Sequence, residues 1–183
     1  MNSIKLLIAT LLTLCFSSAI AENEKTTIGD VEMAASSKSP AFEAVMQKLG
    51  KWEGQMTQSL DGAVFDVSYE YKLTSGGNTI TETIVEDGVE MLSTYSDEGG
   101  QLVVKHYCAL GTEPVFKVSG ITASSMSISL DEAKNELHTG HHSFVTGMTW
   151  TTDSQNPNSM VFENSVSLDG KLTTNKAILK RSM

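Results

Sequence analysis

Cysteine is nearly missing from this 183-residue chain, which has only Cys15 and Cys108. Cys15 falls inside an apolar N-terminal run. If that run is removed, Cys108 has no partner and an internal disulfide is excluded. Long apolar runs are equally scarce. The one from Leu6 to Phe16 is shorter than a membrane-crossing helix, and no other follows it. Positive charge is in deficit: 13 Lys and Arg stand against 22 Asp and Glu, a net charge of −9. That balance disfavours a nucleic-acid partner and adsorption to anionic membranes. There is no Gly-x-Ser-x-Gly, phosphate loop, zinc-finger spacing or His-Glu-x-x-His. Asn-x-Ser/Thr sequons are absent too, which fits a bacterial secreted or periplasmic protein.

The N-terminus has the pattern of a secretory signal. Lys5 supplies the positive region, Leu6 to Phe16 the apolar core, and Ala19-Ile20-Ala21 the small-x-small cleavage site. Removing residues 1–21 takes away one positive charge, Lys5, and makes the net charge −10. The expected address is therefore the periplasm or the extracellular medium. Residues 22–38 are small, polar and without periodicity, and read as a flexible leader. The folded domain is expected over residues 39–183. Ser39-Pro40 predicts a helix N-cap with proline at the first helical position. Phe42, Val45, Met46 and Leu49 then recur at helical spacing up to Gly50.

Beyond Gly50 the pattern is of strands. Ala63, Phe65, Val67, Tyr69 and Tyr71 alternate with Val64, Asp66, Ser68, Glu70 and Lys72. Asp61-Gly62, Asp87-Gly88, Gly99-Gly100 and Asp169-Gly170 punctuate the chain with hairpin turns. About ten short strands follow, with turn signals every eight to twelve residues. The eighth is expected over about Leu137 to Thr151. The prediction is an all-β, up-and-down antiparallel barrel with one short N-terminal helix, because closure removes the exposed edges of a meander.

Strand parity also yields an interior list. His106 and Cys108 share a face with Leu102 and Val104. Glu82 lies between Ile80 and Ile84, a carboxylate that must be paired, hydrogen-bonded or protonated if buried. His142 aligns with Phe144, Met148 and Trp150 if the eighth strand starts near Leu137. Tyr69, Tyr71 and Asn164 complete a candidate polar patch in an apolar interior.

The segment Leu49-Gly50-Lys51-Trp52-Glu53-Gly54, after a short helix, resembles the Gly-x-Trp opening of lipocalin-like (calycin) barrels. Together with Leu73-Thr74-Ser75-Gly76-Gly77, Thr81-Glu82-Thr83 and His106-Tyr107-Cys108-Ala109-Leu110-Gly111, it is similar to a group of bacterial lipocalin-like domains of unknown function. The resemblance spans about residues 40–180. It implies that Trp52 packs at the closed end of the barrel near a basic residue of the last strand, Lys180 or Arg181. The chain departs from that group at Thr112-Glu113-Pro114, where Asn-Gln-Pro is usual. Its histidines at His138, His141 and His142 replace a His-x-His pair.

These observations favour a monomeric barrel holding one small, mainly apolar molecule. Glu82, His106, Cys108, His142, Tyr69, Tyr71 and Asn164 are its candidate contacts, and Phe144 an expected aromatic wall. The alternatives are a small enzyme using Glu82 and His106 as an acid–base pair, and a filled barrel whose polar groups satisfy one another. The cofactor is unassigned. Glu82, His106 and His142 are the residue types of a two-histidine, one-carboxylate metal centre, but at no diagnostic spacing, so no metal ligand is assigned. Haem, bound by some calycin relatives, would need His106 or His142 as its axial ligand.

Overall fold

A computed structural model describes residues 27–33, 38–138, 140 and 142–182. The signal pattern and His141 lie outside these residues. The fold begins with a two-strand ladder, β1 (Thr27–Ile28) and β2 (Val31–Glu32), where the sequence carried no strand pattern. Helix α1 (Pro40–Met46) follows. Ten strands then run in chain order: β3 (Gly50–Gln58), β4 (Val64–Thr74), β5 (Thr79–Glu86), β6 (Val89–Glu98), β7 (Gln101–Tyr107), β8 (Val115–Ile121), β9 (Ser125–Leu130), β10 (Phe144–Asp153), β11 (Asn156–Leu168) and β12 (Lys171–Arg181). Each pairs antiparallel with its chain neighbours, and β12 returns to β3 to close the barrel. This is the predicted up-and-down architecture, and closure leaves no barrel strand with a free edge.

The turns form where left-handed backbone is available. Asp87-Gly88 and Asp169-Gly170 have positive φ at both residues, the geometry of a two-residue hairpin turn. Helix α1 starts as its sequence predicts. The Ser39 hydroxyl accepts from the Phe42 amide at 3.1 Å, and Ser39 donates its own amide and hydroxyl to the Asp97 carboxylate at the end of β6. The helix ends at Met46, before Leu49. It lays Ala41, Phe42 and Val45 over one end of the barrel. Full burial of Phe42 and Val45 is worth about 1.5–3 kcal/mol each.

At this capped end Trp52 is fully buried, and its indole N–H donates to the Lys48 carbonyl at 2.8 Å. The Arg181 guanidinium lies 4.3 Å from the Trp52 ring centroid and donates to the carbonyls of Leu49 and Gln47. Of the two basic residues expected beside Trp52, Arg181 takes the place, while Lys180 is exposed.

The eighth barrel strand differs from expectation in two ways. It starts at Phe144, so His138, Gly140 and His142 belong to the loop before it. It also carries a bulge between Val145 and Gly147, where one extra residue reverses the inside–outside alternation. Val145, Met148 and Trp150 therefore join the interior cluster. Phe144 is buried but lies outside that cluster, and it is not the aromatic wall its parity suggested.

Candidate functional site

The register of four neighbouring strands sets one row of polar side chains across the interior. Tyr71 on β4 faces Glu82 on β5, Glu82 faces Ser93 on β6, and Ser93 faces His106 on β7. All four are buried. The Tyr95 hydroxyl donates to Glu82 Oε2 at 2.5 Å, and the hydroxyls of Tyr71 and Ser93 also hydrogen-bond the carboxylate. Trp150 Nε1 donates to Tyr71 Oη at 3.1 Å. Burial pushes the Glu82 carboxyl above its ordinary pKa, and the three hydroxyl donors act against that rise.

Above this row, toward the helix, sits Lys48, 5% exposed. Its Nζ donates to the Ala44 carbonyl at 3.0 Å and lies 5.7 Å from the Trp150 ring centroid. Burial pulls its pKa down from 10.5 to about 8, against the pull of the Glu82 charge. The rings of Tyr71, Tyr95, Trp150 and Phe162 pack in succession at centroid distances of 6.2, 6.3 and 5.6 Å. The helix-capped half of the barrel is filled.

The other half holds a cavity of about 360 Å³. Ile84, Met91, Val145, Met148, Phe162 and Val166 form apolar wall, and Tyr69, Glu86, His106, Cys108 and Asn164 bring polar atoms to it. It opens among the loops opposite the helix, where Leu60, Val89 and Leu110 are exposed at the rim. His106 is 3% exposed, and its Nδ1 lies 3.0 Å from the Ser93 hydroxyl. Its other ring nitrogen, Nε2, has no partner among the described residues. Burial lowers its pKa from 6.5 to about 4, so the ring is neutral at physiological pH. Tyr69 donates to Glu86 Oε1 at 2.7 Å. Burial raises the Glu86 carboxyl, and this hydrogen bond partly offsets the rise. Asn175 Nδ2 donates to Asn164 Oδ1 at 2.9 Å. Burial pushes the Cys108 thiol up, which keeps it protonated and weakly nucleophilic at neutral pH.

The seven sequence candidates thus divide. Tyr69, His106, Cys108 and Asn164 line one cavity. Glu82 and Tyr71 sit in the filled half behind it and do not line it. His142 lies in the loop 131–143, its Nδ1 accepting from the His138 amide and its ring stacked at 6.4 Å on that of His138. The parity that aimed it inward fails because none of the described residues between Leu137 and Ser143 is in a strand. Glu82, His106 and His142 accordingly do not assemble, and among the described residues no three His, Cys, Asp or Glu side chains come together as metal ligands would.

Sequence reasoning missed Glu86, Ser93, Tyr95 and Lys48. Glu86 was within reach, being the next inward position after Glu82 and Ile84. Ser93 and Tyr95 share one parity on β6, but a serine carries no apolar signal. Lys48 falls inside the predicted helical segment, but a lysine carries no apolar signal.

Among the described residues no helix is long and apolar enough to cross a membrane. No protein-family model and no curated protein matches the chain. Among solved structures it is similar to a protein of unknown function from the DUF3598 family of Nostoc punctiforme. The TM-score is 0.55 at 10% identity, over 82% of this chain and 54% of that one. The chain spans about half the length of that protein, and the likeness shows the shared barrel fold.

Proposed function

We propose that this protein is a calycin-like barrel that binds one small, mainly apolar molecule in the cavity at its open end, with the polar end of that molecule at His106. One observation carries the reading: an apolar cavity in which a nearly fully buried histidine presents a ring nitrogen with no protein partner among the described residues. Among the described residues the one buried side-chain polar atom without a partner is Ser167 Oγ, so His106 Nε2 is open to the cavity's water, which a polar ligand group would replace. A cavity of this size with a few convergent polar groups has the character of a small-molecule site. The stacking of Arg181 on Trp52 supports the calycin assignment. The signal pattern of residues 1–21 supports action outside the cytoplasm, and the acidic, closed barrel supports a monomer.

The acid–base alternative is weaker. Glu82 does not line the cavity, so a bound molecule would meet His106 without it. The filled-barrel alternative describes the helix-capped half only.

Titration with N-phenyl-1-naphthylamine, a neutral apolar fluorophore, tests the proposal. The expected result is saturable one-to-one binding that is lost in Val145→Trp, which fills the cavity, while circular dichroism shows the variant folded. Binding that never saturates, or that survives in a folded Val145→Trp, would overturn it.

A further inference from the structure

The electrostatics of the cavity are one-sided. Glu86 and Asp87 line it, and no lysine or arginine does. Glu86 Oε1 accepts from Tyr69, while Oε2 has no partner among the described residues. The buried cation, Lys48, sits at the opposite, helix-capped end, beside a crevice between the helix and the turns at 122–125 and 152–157.

His106 also lines the cavity, with Nδ1 at 3.0 Å from the Ser93 hydroxyl and Nε2 without a protein partner among the described residues. The neutral ring presents Nε2 as a donor in one tautomer and as an acceptor in the other. The protein thus offers its ligand one open carboxylate oxygen, Glu86 Oε2, and no positive charge.

We infer that the cavity selects a small apolar molecule bearing a primary ammonium group, and discriminates against one bearing a carboxylate. The inference rests on the cavity-binding reading above and names its ligand class. An ammonium has three donors and no acceptor, which matches the open carboxylate oxygen of Glu86. A carboxylate would bring a like charge into a low-dielectric wall with no cation to meet it. A diacyl aminolipid does not meet the description, because its two acyl chains exceed a cavity of about 360 Å³. The fitting molecule is a free amine.

The test displaces N-phenyl-1-naphthylamine with octylammonium, octan-1-ol and octanoate, which share one chain and differ in head group. The expected order of affinity is ammonium, alcohol, carboxylate, with the ammonium at least about tenfold tighter than the carboxylate. Glu86→Gln keeps the shape and Tyr69's partner, and should bring ammonium and carboxylate to within about threefold of each other while octan-1-ol binding is retained. Octanoate binding as tightly as octylammonium would overturn the ligand class and leave the cavity reading intact. An ammonium preference undiminished in Glu86→Gln would overturn the role of Glu86 and the inference with it. Displacement by none of the three would overturn both readings.

Discussion

His106 is kept neutral by burial, and that has a measurable cost at low pH. The unfolded chain takes up a proton near pH 6.5, while the folded chain resists until about pH 4. Between those values the unfolded state binds more protons, so stability falls as pH falls. His106→Gln, which retains a donor for Ser93, removes this dependence. Relative to the variant, the wild type should lose about 3 kcal/mol between pH 6.5 and pH 4, read by urea denaturation. A constant difference across that range would refute the assignment. Lys48 behaves oppositely in range and alike in sign. Its folded pKa of about 8 lies below the unfolded 10.5, so stability rises as pH climbs through that window. Below pH 8 the barrel carries the full burden of a buried ammonium. Lys48→Met should therefore be more stable than the wild type at pH 7, by about 1–3 kcal/mol, and the gap should narrow toward pH 10. If Lys48→Met is less stable at pH 7, the ammonium's attraction to Glu82 outweighs its desolvation.

At the level of elements, the seam between β3 and β12 is tightly constrained at Gly54. A Cβ built on Gly54 would stand 2.0 Å from the Ile178 carbonyl oxygen, an overlap with backbone that no rotamer relieves. Gly54→Ala must push the first and last strands apart, and should cost about 3 kcal/mol or more. Denaturation midpoints check this, and a change below about 1 kcal/mol would show that the strands can separate locally without loss. The bulge in β10 acts in a different currency, on the identity of the wall. By reversing the alternation at one residue it brings Val145 to the cavity and removes Phe144 from it. The capping of α1 by Ser39 and Asp97 ties the helix to β6 and holds it over the filled half of the barrel.

The molecule as a whole is a closed barrel filled at one end and open at the other, and that asymmetry makes the cavity. Much of it was legible in the chain. Turn residues with left-handed preference and period-two alternation are local properties, so the ten strands and their meander could be read from sequence. So could the shared face of His106 and Cys108, and the burial of Glu82 among aliphatic neighbours. Closure followed from the same information, because a meander of ten strands hides its edges only by joining the first to the last. What local pattern cannot carry is depth along the barrel axis and register between strands. Parity alone grouped Glu82 with His106 in one patch, whereas the interstrand register sets Ser93 between them and leaves Glu82 behind the cavity. Parity likewise projected His142 inward from a strand that starts two residues later. Sequence by itself determined the architecture, the acidic composition and the inward face of the regular strands, since these depend on residues a few positions apart. Tertiary structure alone decided which inward residues meet, where the space is left, and that its walls carry carboxylate and no cation, since these depend on how distant strands align.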